Sequence, residues 1–200
     1  MIDLTSPMWN SPNRNPRRAG RSSFLILLGV ITCSVAPVFA AGQYPLTLTL
    51  DAQAKKGVST IASQVTIHVD RLMEESRRVR VTDALEHGGY ANFVNVLRTI
   101  PTVGTVAIPS RSVDLRYARE QEDGKGRRLI LVADQPLFFL PGSAKDRTGY
   151  VLTIVELRFD AQGGVTGRMA GAARVKPTSE GGVTLDDYAE VPIQLTGHVN

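Results

Sequence analysis

The chain has little cysteine, tryptophan or histidine: of 200 residues, one is Cys, one Trp and three His. Cys33 and Trp9 both fall in the first forty residues. The remainder therefore offers no disulfide, no thiol nucleophile and no thiolate metal site. The histidines, His68, His87 and His198, share no metal-ligand spacing. His68 and His198 fall on outward strand faces and His87 at a helix C-terminus, which reads as three surface side chains. Also missing are a G-x-S-x-G elbow, a phosphate-cradling loop, a dinucleotide fingerprint and an H-E-x-x-H pair. No cofactor is implied.

One long apolar run is present. Arg14, Arg17, Arg18 and Arg21 precede Phe24–Ala36, and Val38 and Ala40 set compact side chains before Ala41. This pattern predicts a secretory signal peptide over residues 1–40, cut near Ala40. An uncleaved anchor would have to span with eighteen residues that include Pro37. A lipid-modified Cys33 is poorly served by Thr32, and a twin-arginine signal by the Ala-Gly after Arg18. Sec export to the periplasm or medium follows, with membrane contact only through the signal segment before cleavage.

Export removes the apparent basicity. Residues 1–40 hold four of the chain's 23 basic residues and one of its 19 acidic ones, so residues 41–200 carry a net charge near +1. Nothing in that balance points to nucleic acid. The length suits a single domain with a sizeable core over 41–200.

Within that domain the hydrophobic period is mostly two. Two strands joined by the glycine-rich turn Asp160–Gly164 dominate the stretch from Gly149 to Val175. Shorter strands are predicted over 44–50, 64–71, 105–108, 112–121, 127–134, 183–188 and 193–199, and Asp51–Ser63 reads as a polar loop. In 112–121, Val113, Leu115 and Tyr117 face inward and Ala118 outward. One or two helices are expected over about 74–100, broken at Gly88-Gly89, with Thr82 as a possible internal cap. Tyr90, Phe93, Val94 and Leu97 make one apolar stripe, stopped by Pro101. The fold class is α+β, mainly β: an antiparallel meander closed as a barrel or a sandwich, with the helices on one face or end.

The stretches Ala84–Val106, Asp114–Phe139 and Tyr150–Val175 together resemble a family of exported bacterial proteins of unknown function. The shared features are the Gly-Gly break, the Leu-Arg-Tyr-Ala-Arg strand, the Gly-Arg-Arg hairpin return, an Asp-x-Pro and the Glu-Leu-Arg strand. The resemblance covers most of residues 41–200 and implies an envelope or secreted location, without an activity or substrate.

Candidate sites are few. Leu137-Phe138-Phe139-Leu140 puts two phenylalanines side by side, and alternation leaves one of them outward unless something covers it. Phe138, Phe139 and Tyr117 are the ligand-binding candidates, for a small apolar ligand or an envelope protein. Gly167, Met169, Gly171 and Ala173 share one face, leaving room for a ligand or admitting the helix stripe. Asp134 with Arg116 and Arg119, and Glu156 with Arg158, read as structural ion pairs. Asp186, Asp187 and Glu190 around Tyr188 fit a calcium loop poorly. The function expected is a non-enzymatic binding domain. The alternatives are an envelope adaptor subunit or a carboxylate hydrolase centred on Asp134 or Asp186.

Overall fold

The computed structural model describes residues 43–199 except 57, 123, 125 and 140–148. The expected leader, 1–40, lies outside the described residues. In chain order the elements are β1 (Leu46–Lys56), β2 (Ser59–Val69), α1 (Glu75–Arg98), β3 (Gly104–Ile108), β4 (Arg111–Glu122) and β5 (Arg127–Ala133). Then come β6 (Leu152–Phe159), β7 (Gly164–Pro177), β8 (Val183–Tyr188) and β9 (Ile193–His198).

The strands run β6-β5-β4-β3-β2-β1-β9-β7, and β6 pairs again with β7, so eight strands close into an antiparallel barrel. Of the two closures the sequence allowed, the barrel is the one formed. The meander runs unbroken from β1 to β7. The chain then leaves the wall as β8, which pairs with the far half of β7, Ala173–Pro177. It returns as β9 to fill the slot between the near half of β7 and β1.

An eight-stranded barrel has an interior just wide enough to be filled by side chains. Here Leu48, Leu50, Val65, Ile67, Leu115, Leu131, Leu157 and Leu195 fill it, each at most 1% exposed. A second apolar layer lies outside the wall, where Phe93, Val94 and Leu97 of α1 pack against Ile130, Val132, Ile154 and Ala170. The predicted helical stripe is thus core. Gly89, at φ 71° and ψ −176°, splits α1 where the Gly-Gly break was expected, a conformation that side chains with a Cβ rarely adopt.

Four expectations change. Asp51–Ser63 is not a loop, since β1 and β2 continue through it as one long hairpin. Ala52 and Ala54 keep the inward period there, both buried, and small apolar residues carry a weak hydrophobic signal. In β4 a register shift between Leu115 and Tyr117 turns Tyr117 out beneath α1 and Ala118 into the lumen. A bulge inserts one residue and so reverses every later side chain. A similar irregularity opposite Leu152 and Ile154 splits the expected small-residue face of β7: Met169 points into the lumen, Ala173 toward the helix. Thr82 caps nothing; it sits inside α1 and donates its hydroxyl back to the carbonyls of Arg78 and Val79.

Candidate functional site

The three candidate ligand contacts do not come together. Tyr117 is fully buried in the layer between wall and helix, and that burial pushes its phenol above the ordinary value. Phe138 and Phe139 are half-buried in the segment that follows β5. The Leu137 amide donates to the Gly171 carbonyl at 2.8 Å, and Leu137 itself reaches the lumen core. Phe139 packs against the same core. This segment lies so close to β7 that a Cβ on Gly171 would sit 1.9 Å from the Leu137 oxygen. The end of the barrel marked by the close of β5 and the start of β6 is therefore covered by 137–139.

A different site lies on the outer wall, toward the other end. The β6–β7 hairpin register sets Glu156 opposite Arg168 and Arg158 opposite Thr166. Pairing of β5 with β6 sets Arg128 directly opposite Arg158, and β9 brings Gln194 beside Arg168. These side chains line an open groove of about 400 Å³. A second recess, of about 370 Å³ and lined by Asp51, Asp160 and His198, shares Thr166 with it.

Glu156 is the groove's floor, its side chain only 8% exposed. Its Oε2 accepts from Arg168 Nε at 2.7 Å and Nη2 at 2.6 Å, a two-pronged grip. Its Oε1 accepts from Thr184 Oγ1 at 2.8 Å and the Leu185 amide at 3.2 Å, with Arg128 Nη2 at 3.3 Å. Burial pushes this carboxyl up, but the bonds from Thr184, Arg168 and Leu185, with the Arg168 charge, bring it below the ordinary value. Glu156 is therefore an ion at neutral pH, saturated by donors and unsuited to accept a proton from a substrate.

Asp134, Asp186, Asp187 and His68 are held in structural contacts. Asp134 faces Arg116 at 3.5 Å, as the cross-strand pairing predicted, whereas Arg119 turns to the Glu180 carbonyl at 2.7 Å. Asp187 accepts from the Tyr150 hydroxyl at 2.5 Å and Asp186 lies 3.5 Å from Lys176. Thr47, His68 and Asp70 form a hydrogen-bonded line at 2.8 and 3.0 Å. It lies on the open wall of β1 and β2, with His68 and Asp70 nearly half exposed, and ties the two strands together. Among the described residues, no group of three or more His, Cys, Asp and Glu could hold a metal ion.

Glu156 was legible as an ion-pair former, but with Arg158 as its expected partner; Arg168 and Arg128 hold it instead, and the groove was not legible. Counting back from the Asp160–Gly164 turn places Arg168 against Glu156. Arg128 escapes such counting, because residues 134–151 separate β5 from β6 and no tight turn fixes their register.

Fold and groove together define a closed antiparallel barrel with a packed lumen, one helix on its flank and an arginine-lined recess on its outer wall. No family model, curated protein or solved structure matches the chain.

Proposed function

We propose that the protein is an exported, non-catalytic binding barrel that grips a ligand or an envelope partner from outside. The observation that carries this is the filled lumen: side chains occupy the space where a carrier barrel would hold its cargo. The open recess is the polar one on the wall, and its buried carboxylate is engaged by five donors. The wall also turns polar residues outward, with Thr47, Thr49, Asp51 and Gln53 of β1 all exposed. That is the reverse of a lipid-facing barrel, and among the described residues no helix is long and apolar enough to cross a membrane. The leader pattern and the resemblance to exported bacterial proteins support the envelope location.

The half-exposed Phe138 and Phe139 support a second reading, an apolar contact at the covered end of the barrel. Fractionation of the native host tests the main proposal. Protein from the periplasm or medium should begin at Ala41 or Gly42 and carry a bound molecule or partner. Recovery from the cytoplasm with residues 1–40 intact and nothing bound would contradict it.

A further inference from the structure

We propose that the protein pairs with a second copy of itself through the open edge of the long β1–β2 hairpin. Each copy's β2 lies antiparallel to the other's, and neither the wall groove nor its ligand is involved. β1 and β2 form one ladder in unbroken register, from Leu46 opposite Val69 to Lys56 opposite Ser59. The neighbouring strands stop short of the tip. β3 meets β2 only at residues 66–69, and β9 meets β1 only at residues 51–53. Among the described residues, 59–65 therefore have β1 on one side and no strand on the other. Such an edge presents a row of backbone donors and acceptors that a further strand can take up.

Open edges in native proteins are commonly blunted by a charge, a proline or a bulge. Residues 58–65, VSTIASQV, contain neither charge nor proline, and the ladder beside them has no bulge. Thr60, Ala62 and Gln64 are exposed, Val58 is wholly exposed, and Ile61 is only half-buried. The register selects the occupant. A two-fold axis at Ala62 sets Ala62 against itself, Thr60 against Gln64, and Ile61 against Ser63. Every pair at that joint is neutral, and the two Ile61 side chains become diagonal neighbours on one face. Within each copy, Lys55 stands opposite Thr60 and Asp51 opposite Gln64. The joined four-stranded sheet thus has rows that run Lys55, Thr60, Gln64, Asp51, with a cation at one end and an anion at the other. Moving the axis to Ile61 or Ser63 loses that match. A joint this short buries less than a permanent dimer needs, so the pair forms and parts with concentration.

Sedimentation velocity over a dilution series, on protein recovered from its host, tests the pairing. A monomer–dimer equilibrium is expected. Ala62→Lys, an exposed change that opposes two like charges across the axis, should raise its midpoint concentration about tenfold or more. Thr60→Glu combined with Gln64→Lys places opposite charges across the joint and should lower it about fivefold. Ala62→Cys should cross-link two copies on mild oxidation, since directly opposed residues stand about 4.5–5.5 Å apart at Cα, within disulfide reach. A wild type that stays monomeric throughout would overturn the pairing, as would a dimer that Ala62→Lys leaves intact while its circular dichroism matches wild type. A different protein bound to wild type and missing from Ala62→Lys would also overturn it, giving the edge to a foreign strand.

Discussion

At the scale of single residues, Glu156 joins stability to the groove. Its folded value lies below the ordinary 4.5. Its stabilising contribution is therefore present above about pH 4.5 and lost as pH falls through the lower folded value. Glu156→Gln should cost about 2 kcal/mol at neutral pH, less than a wholly buried pair because Arg168 is 46% exposed. The same substitution should flatten the loss of stability in acid, as read by urea unfolding at about pH 7 and about pH 3. The two phenylalanines also separate. Phe139 rests on the lumen core, so Phe139→Ser should lose about 1–2 kcal/mol in the same assay. Phe138→Ser leaves that core contact in place and should lose less.

Secondary-structure elements were legible where one signal dominated. The stripe Tyr90, Phe93, Val94 and Leu97 forecast the packing of α1, and Phe93→Ala should cost about 3 kcal/mol by calorimetry, since the ring is wholly buried. Gly89→Ala should cost about 1–3 kcal/mol. Beyond its chain neighbours and the helix's own backbone, no atom lies within 4 Å of the added Cβ, so the penalty is that of a backbone at φ 71° and ψ −176°, a region essentially confined to glycine. Part of what stayed hidden has one physical cause: a bulge has no compositional mark. The extra residue at Arg116 reverses Tyr117 and Ala118, although both positions read as apolar. The long β1–β2 hairpin was obscured differently, because alanines pack a narrow lumen while scoring weakly as strand residues.

For the molecule as a whole, period-two patterning and nine turn-separated segments were enough to indicate a β barrel or sandwich. Closure was not legible, since it depends on β9 entering between β7 and β1, two strands far from it in sequence order or reached past β8. The same closure builds the groove: β5, β6, β7 and β9 each contribute a lining side chain, and no single segment contains the arrangement. A filled lumen and a charged outer recess make recognition from outside the central claim. Native mass spectra of protein recovered from its host's envelope, as wild type, Arg158→Gln and Phe138→Ser, test it most directly. The account predicts an added mass on the wild type and on Phe138→Ser, released on unfolding and missing from Arg158→Gln. An added mass that persists in Arg158→Gln and disappears in Phe138→Ser would contradict it and place the ligand at the barrel's covered end.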